Sequence, residues 1–322
     1  MPSTLKYYSH LLFISFSILM ICETDAASLQ SKTHGPGTII LDRDTVWNYE
    51  NLHLKSKTKI VTNGYSLAVI VTGDLDIQGV ATIQSYPDDK IDGQNFRAPT
   101  KPSIAASGTS HNPGPRSGGC GKSCQGANGG NGHQGQSGTA GTNGKNAGNI
   151  ILNILQTANG KLVVINRGMK GGSGGPGADG GHGGAGQQGG RGRDGTFDCR
   201  SGPGNGGNGG NGGNGGNGGN GGTSGDGGKF TLMVSGNTDK FKLKVDLRGG
   251  MTTLSGVGGQ PGNGGSFGWG GRGSSKCSGR ESERKGQAGV AGRQGSSGQS
   301  GSAGKKGVFD VNGVPQSNIQ TL

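Results

Sequence analysis

Cysteine is the residue type in this chain with the clearest capacity for chemistry. Apart from Cys22, which lies in an apolar N-terminal run, the chain contains Cys120, Cys124, Cys199 and Cys277. An even number of cysteines in an oxidising compartment predicts two disulfides, and four cysteines allow three different pairings. A zinc site is the less favoured alternative, because Cys199 and Cys277 each stand alone in the sequence.

Other side chains that could do chemistry do not form a recognisable site. The histidines beyond the N-terminal run show no metal-ligand spacing, and they are His34, His53, His111, His133 and His182. Asp194 and Asp226 could each contribute an oxygen to a calcium site, but single aspartates in loops are more often plain surface. No nucleophile stands beside a base. The sequence therefore predicts a protein that is not an enzyme and carries no cofactor or metal.

The stretch GGSFGWGGRG (264–273) brings Phe267 and Trp269 close together. They could form an exposed aromatic patch for self-association or for stacking on sugars, or they could pack against a neighbouring segment, and the sequence leaves both alternatives open. The sequences RGRDG and RGG are similar to RNA-binding segments but lack interleaved aromatic residues. No nucleic-acid partner is therefore predicted.

The chain has too little apolar material for an ordinary core of its length. Glycine makes up 76 of the 322 residues, hydrophobic residues 28% and aromatic residues 5%. A folded structure must then depend mainly on backbone hydrogen bonds and disulfides. The net charge of +12 comes from scattered Lys and Arg. It indicates a solvated surface, and contact with an anionic polysaccharide is the alternative.

The N-terminus is typical of a secretory signal peptide. Lys6 precedes the apolar run LLFISFSILMIC (11–22), and the small residues Ala26 and Ala27 follow it. The run is too short to span a bilayer. We therefore predict a signal peptide at 1–26 and a mature protein that is secreted, extracellular and not held in a membrane.

Residues 27–83 are predicted to form a small N-terminal β domain, either a solenoid or a sandwich. The region contains closely spaced β-type runs, and Asn63-Gly64 is a turn signal between two of them. Further β inserts are predicted at 149–167 and 229–248. Each insert consists of two apolar runs around a short polar turn.

Glycine at every third position governs most of 84–307. In GNGGNGGNGGNGGNGGNGG (204–222) two of every three residues are glycine and the third is asparagine. A flexible linker has no reason to hold this phase, and collagen would need many more than 11 prolines. Three residues per turn is the period of polyproline II, whose bare glycine faces would let neighbouring helices form hydrogen bonds. The glycines predicted to pack in this way are Gly207, Gly210, Gly213, Gly216 and Gly219.

The predicted fold class is mixed β plus polyproline II. The small N-terminal β domain would be extended by the β inserts and joined to a long antiparallel glycine-rich polyproline II helix bundle, with essentially no α-helix in the mature chain. Each break in the glycine phase contains cysteine, so we expect the cysteines at one end of the bundle and the β inserts at the other. A C-terminal strand and tail occupy 308–322, and the conformation of 84–118 is left open.

This glycine register with cysteines in the turns resembles that of the glycine-rich polyproline II bundle proteins. These include springtail (snow flea) antifreeze proteins and the tip adhesins of some phage tail fibres. The resemblance covers about residues 118–310 and implies a helix-bundle fold. For function it implies ice binding or adhesion.

We expect a secreted structural protein, a rigid module that self-assembles with its own copies into extracellular filaments or matrix. Unpaired strand edges of the β base would accept a strand from the next copy, and residues 28–37 or the C-terminal PQSNIQTL would serve as a donor arm. Two alternatives stay open. One is an ice-binding (antifreeze) protein with an outer face of small residues in GQAGVAGRQGSSGQSGSAG. The other is an adhesin or glycan-binding protein that acts through the cysteine-containing tip.

Overall fold

The computed structural model of the protein describes residues 29–92, 103, 106 and 125–315. The predicted signal peptide (1–26), Cys120, Cys124 and the end of the chain (316–322) lie outside the described residues. Within the described ranges, no helix has both the length and the apolar character needed to cross a bilayer.

The described chain is mostly β-strand, with one short α-helix, α1 (Asp88–Asp92), and one 3-10 helix (Glu281–Arg284). The strands, in chain order, are β1 (Lys32–His34), β2 (Gly37–Ile40), β3 (Thr45–Tyr49), β4 (Leu52–Leu54), β5 (Thr58–Val61), β6 (Leu67–Val71), β7 (Leu75–Gln84), β8 (Ile150–Ile154), β9 (Ala158–Ile165), β10 (Arg193–Asp194), β11 (Cys199–Ser201), β12 (Phe230–Val234), β13 (Phe241–Asp246), β14 (Phe309–Val311) and β15 (Val314–Pro315).

Two large sheets enclose one hydrophobic core. Sheet 1 runs in the order β1-β4-β7-β5-β2, with β9 beside β7 and β13 beside β9, and sheet 2 runs in the order β15-β14-β12-β8-β6-β3. Alternate residues of a strand lie on opposite faces of its sheet. In β6, Leu67, Val69 and Val71 are buried, whereas Ala68 and Ile70 are only half-buried. The equivalent buried residues of both sheets pack together as a single cluster, so we call the two sheets the sheet pair.

The chain coils between the two sheets. From β6 onward the large-sheet strands alternate, with β6, β8 and β12 in sheet 2 and β7, β9 and β13 in sheet 1. Strands of successive turns pair in parallel, so that Phe230 of β12 lies opposite Ile150 of β8 and Phe241 of β13 lies opposite Gly160 of β9. The repeat of about 80 residues in the sequence is therefore one turn of this coil.

The predicted small N-terminal β domain is wrong, because the sheet pair takes strands from β1 to β15. The turn at Asn63-Gly64 exists, with φ of 54° and 86°. It joins β5 in sheet 1 to β6 in sheet 2, however, and not two partners of a hairpin. The strands of each predicted insert separate between the sheets in the same way. Parallel neighbours need such a crossing, because a tight turn can join only antiparallel strands.

Five extended glycine-rich segments prolong the strands of the sheet pair. We number them segment 1 (126–148), segment 2 (168–192), segment 3 (204–228), segment 4 (249–273) and segment 5 (286–307), and we call them together the glycine array. Segments 1, 3 and 5 lead into β8, β12 and β14 and are parallel to each other, as those strands are. Segments 2 and 4 follow β9 and β13 and form a second parallel layer, which runs in the opposite direction.

The predicted polyproline II helix bundle is also wrong as a description of the fold. The regular structure of the described residues is β-sheet, and the glycine segments are extended chains that continue the coil of the sheet pair. The period of three in the sequence sets which residue donates a backbone hydrogen bond to which neighbour. This period does not by itself specify a polyproline II helix bundle.

Candidate functional site

Segment 3 is the centre of the glycine array and is hydrogen-bonded to all four other segments. The backbone N of Gly207 donates to the carbonyl oxygen of Gln187 in segment 2, and the N of Gly209 donates to that of Gln287 in segment 5, both at 2.8 Å. Carbonyl oxygens of segment 3 accept from segments 1 and 4, and each pattern repeats at every third residue. The extended backbone is thus paired through hydrogen bonds between segments.

The glycines of segment 3 are required by the closeness of these backbones. A Cβ at Gly207 would lie 2.0 Å from the carbonyl oxygen of Ala127, and a Cβ at Gly206 would lie 1.9 Å from that of Gly268. Neither of the two glycine faces of segment 3, one against segment 1 and one against segment 4, therefore has room for a side chain. The glycines that sequence analysis singled out, Gly207, Gly210, Gly213, Gly216 and Gly219, all face segment 1, where an added Cβ would come within 1.9 to 2.1 Å of a carbonyl oxygen.

The asparagine in each triplet supplies a further hydrogen bond. Asn128 Oδ1 accepts from the backbone N of Asn208 in segment 3, and Asn208 Oδ1 accepts from the backbone N of Gln287 in segment 5, both at 2.8 Å. The same acceptor role is filled in segment 3 by Asn211, Asn214, Asn217, Asn220 and Asp226. We call this series the asparagine ladder. In this ladder Asp226 accepts a hydrogen bond from the backbone N of Lys305. The sequence had left Asp226 as either a calcium ligand or plain surface.

Segment 5 is built as an end to the array. Gln287 of segment 5 lies beside Asn208 of segment 3. Ala288 therefore occupies the position in segment 5 that corresponds to Gly209 in segment 3. The residues at the glycine-equivalent positions of segment 5 are exposed and carry side chains, and they include Ala288, Ala291, Gln294, Ser297 and Ser300. Another chain could not approach this edge as closely as segment 3 approaches its neighbours. Side chains at an edge are a known protection against further pairing.

The two ends of the sheet pair are less protected. Among the described residues, β13 pairs only with β9, which leaves one edge of sheet 1 open. At the opposite end, β1, β2 and β3 each have a single partner strand. The last edge of sheet 2 differs, because β14 is covered there by the antiparallel strand β15.

His34 packs at this N-terminal end among aromatic rings. Its ring stacks on Trp47 with centroids 5.2 Å apart and meets the edge of Tyr49 at 6.1 Å. Burial lowers the pKa of His34, and the nearby charge of Lys32 lowers it further. Among the described residues, no three His, Cys, Asp or Glu side chains gather in an arrangement that could hold a metal.

The cysteines that the structure describes meet far from the sheet pair. Cys199 and Cys277 form a disulfide with Cα atoms 4.9 Å apart, and it joins the loop between segments 2 and 3 to the loop between segments 4 and 5. We call these two loops (193–203 and 274–285) the tip. Segment 2 leads from β9 to the tip, and a fully extended chain of its length reaches at most about 90 Å.

A carboxylate fixes the two loops of the tip to each other. Asp194 accepts hydrogen bonds from Ser274 Oγ at 2.6 Å, from Ser275 Oγ at 2.5 Å and from the backbone N of Lys276 at 2.8 Å. The hydroxyl groups of Ser274 and Ser275 lower the pKa of Asp194 to about 2. Lys276 Nζ also donates to the carbonyl oxygens of Gly195 and Thr196. The sequence had left Asp194 as either a calcium ligand or plain surface, and neither alternative includes these hydrogen bonds.

Phe267 and Trp269 lie on segment 4 near the tip. Their rings meet edge to face with centroids 5.2 Å apart, and Lys285 Nζ lies 5.3 Å from the centroid of Phe267. Trp269 is 49% exposed, whereas Phe267 is half-buried. Phe267 is therefore partly shielded from solvent, whereas Trp269 remains at the surface.

Comparisons with known proteins do not identify the chain. No family model matches it, and no curated protein matches it. A similar solved structure is described as the "nine polyproline type II helical bundle springtail antifreeze protein from Granisotoma rainieri"; its identity is 24%, it covers 54% of this chain and 93% of that chain, and the TM-score is 0.09. A likeness with so low a TM-score carries no argument about this protein.

Proposed function

We propose that this protein is a secreted structural protein whose copies assemble end to end through sheet 1. The observation that carries the proposal is the pair of unlike open edges, β13 at one end and β1 with β2 at the other. An open strand edge offers backbone donors and acceptors to another chain. Contacts between two different surfaces do not close on themselves unless the geometry makes a ring, so they build filaments.

The outward backbone groups of β13 can be assigned from its inner partners. Asn166 N donates to Asp246 O at 2.8 Å, and Gly160 N donates to Lys240 O at 3.1 Å, so the even-numbered residues face β9. The alternate residues, Leu243 among them, then direct their backbone N–H and C=O away from sheet 1. Among the described residues, the N–H of Phe241 already donates to the carbonyl oxygen of Thr238, so a parallel strand from the next copy would pair with the backbone groups of Leu243 and Val245.

Other features of the chain support this mode of assembly. The side chains at the edge of segment 5 oppose growth of the glycine array, and β15 covers the last edge of sheet 2. Sheet 1 is the remaining route. The apolar N-terminal run and the Cys199–Cys277 disulfide support an extracellular location, where disulfides persist.

The test compares two substitutions at Leu243 in the full secreted chain. Leu243→Pro removes the outward N–H and also the side chain that packs on the core, whereas Leu243→Ala removes only the side chain. We expect filaments of the native chain by electron microscopy, filaments of Leu243→Ala and only monomers of Leu243→Pro. Circular dichroism of both variants checks that the fold is kept. Native chains that remain monomeric in light scattering at high concentration would contradict the proposal.

Ice binding is a second candidate, and one observation favours it. The exposed small residues of segment 5, such as Ala288, Ala291 and Ser297, recur at every third position along one straight edge. Thermal hysteresis of the monomeric chain is the direct measurement. Its absence at millimolar concentration would exclude this candidate without affecting the first.

A further inference from the structure

The tip presents one large apolar side chain to solvent. Phe197 is 94% exposed, which makes it the most exposed large hydrophobic residue described. It lies in the short loop between β10 and β11, which pair as an antiparallel hairpin. Exposed aromatic rings are common as binding anchors, because they bury a large area with few rotatable bonds.

The loop that carries Phe197 is held firmly from both sides. The Cys199–Cys277 disulfide follows Phe197 by two residues, and the Asp194 hydrogen bonds precede it by three. Lys276 fixes the carbonyl oxygens of Gly195 and Thr196 in between. A loop that is fixed before it meets a ligand loses little conformational entropy on binding.

Two positive charges, on Arg193 and Arg200, flank Phe197 in the sequence, and one negative charge, on Asp198, lies directly beside it. Arg193 and Arg200 are exposed, and neither guanidinium has an ion-pair or hydrogen-bond partner among the described residues. The carboxylate of Asp194, by contrast, is already engaged by the opposite loop. By contrast, Arg272 at the end of segment 4 pairs with Glu281 of the tip. The hairpin therefore offers two unpaired guanidinium groups, one before and one after the exposed ring of Phe197 in the sequence.

We propose that the tip hairpin (193–201) binds an anionic polysaccharide. A sugar ring can stack its C–H face on Phe197, while carboxylate or sulfate groups along the polymer bind the guanidinium groups of Arg193 and Arg200. Arginine suits such groups because its planar fork can donate two hydrogen bonds to one anion.

The position of Asp198 favours a polysaccharide over an anionic membrane surface. Asp198 is exposed directly beside Phe197 in the sequence. If Phe197 entered a lipid headgroup layer, the Asp198 carboxylate would be surrounded by lipid phosphates of the same charge, whereas a polysaccharide carries uncharged hydroxyl groups between its anionic groups. The hydroxyl groups of a sugar can instead donate hydrogen bonds to that carboxylate.

This activity is independent of end-to-end assembly, because it belongs to the tip and not to sheet 1. The two proposals therefore fail separately. Leu243→Pro should keep polysaccharide binding, and loss of polysaccharide binding should leave filaments intact.

The experiment measures binding of the full, disulfide-bonded chain to immobilised heparin, with neutral dextran as the uncharged polymer. We expect no binding to dextran, and a heparin affinity that falls about tenfold for Phe197→Ala and several-fold for Arg200→Gln. The matched controls are Val290→Ala and Arg293→Gln. Both residues are exposed on segment 5, and the substitutions remove an apolar group and a guanidinium group, as the two tip variants do. We expect the controls to retain native affinity within twofold. Circular dichroism is expected to be unchanged in all four variants, because the side chains are exposed.

Three outcomes would overturn the proposal. If Arg293→Gln weakens heparin binding as much as Arg200→Gln does, the affinity comes from the net charge of the whole chain. If Phe197→Ala has no effect, the ring is not part of the site. If vesicles of anionic phospholipid bind as tightly as heparin and with the same dependence on Phe197, the ligand of the tip is a membrane.

Discussion

The sheet pair and the glycine array belong to the same coil, but their layers are in contact in different ways. In the sheet pair, side chains such as Leu152, Ile154 and Phe230 fill the space between the sheets and are almost completely buried. In the array, the layers meet backbone to backbone, and an added Cβ would collide with a carbonyl oxygen. The first region excludes water with apolar side chains, whereas the second excludes side chains so that hydrogen bonds can form.

This difference predicts opposite responses to a change in side-chain size. The sheet pair should be damaged by the removal of atoms, because a cavity is left behind. The array should be damaged by the addition of atoms, because the backbones must separate. Substitutions in either region can test the comparison.

The largest effect is expected in the sheet pair from Leu152→Ala. Leu152 is 2% exposed and belongs to the core cluster. Truncation should lower the free energy of unfolding by about 2–5 kcal/mol, measured by denaturant titration. Leu155→Ala is the control, since Leu155 is 45% exposed and should lose far less. Equal losses at the two positions would mean that the sheet pair has no tightly packed interior.

The next largest effect is expected in the array from Gly213→Ala. The new Cβ would lie 1.9 Å from the carbonyl oxygen of His133, which is backbone and cannot rotate away. We expect a loss of about 1–3 kcal/mol in the free energy of unfolding. Gly202→Ala is the matched control, because a Cβ there has no atom within 4 Å. If both substitutions behave alike in thermal unfolding, close approach is not what requires glycine.

A smaller effect is expected from Asn214→Ala in the asparagine ladder. Asn214 Oδ1 accepts from the backbone N of Arg293 at 2.8 Å, and the alanine variant leaves that N–H to water. The expected loss is about 1 kcal/mol, since the pair is exposed. Asn205→Ala provides the comparison, because its side chain accepts no such bond among the described residues. Protection of the Arg293 amide from hydrogen exchange should fall only in the first variant.

The smallest effect on the fold is expected at the tip and depends on pH. The pKa of Asp194 is lowered to about 2 in the folded protein, from 3.8. Because the folded value is the lower one, the stabilisation is present above the ordinary pKa and is lost as pH falls through about 2. NMR titration of the Asp194 carboxyl group measures the value directly. In the variant Ser274→Ala/Ser275→Ala the pKa should rise towards 3.8, and no rise would show that the hydroxyl groups are not its cause.

Part of this structure was predictable from the sequence, and the parts that failed have a common cause. The apolar run LAVIV (67–71) after the turn signal at Asn63-Gly64 indicated a strand, and β6 is found there. The glycine triplets indicated close contact between backbones, and Gly207 and Gly213 do lie against carbonyl oxygens of segment 1. The partner of each strand was not predictable from the sequence. Ile150 of β8 lies opposite Phe230 of β12, for example, because these strands belong to successive turns of the coil. The expectation that neighbouring runs pair across the turn between them was wrong for that reason, and the polyproline II helix bundle was wrong because the glycine segments continue the strands of the coil.

The candidate sites divide in the same way. Cys199 and Cys277 were candidates from the outset, but their pairing with each other depends on two loops being brought together by segments 2 to 5. Phe197 was not selected by any sequence pattern, since a single phenylalanine in a loop carries no signal. Its exposure follows from the short hairpin that holds it.

The sequence by itself determined where backbones could touch, because only residues without a Cβ allow that distance, and where apolar residues could face a core, because strand faces alternate. The tertiary structure decided which backbones touch and which faces meet. Hydrogen bonds are short and directional, so their partners are fixed only when the coil brings residues from successive turns to the same place.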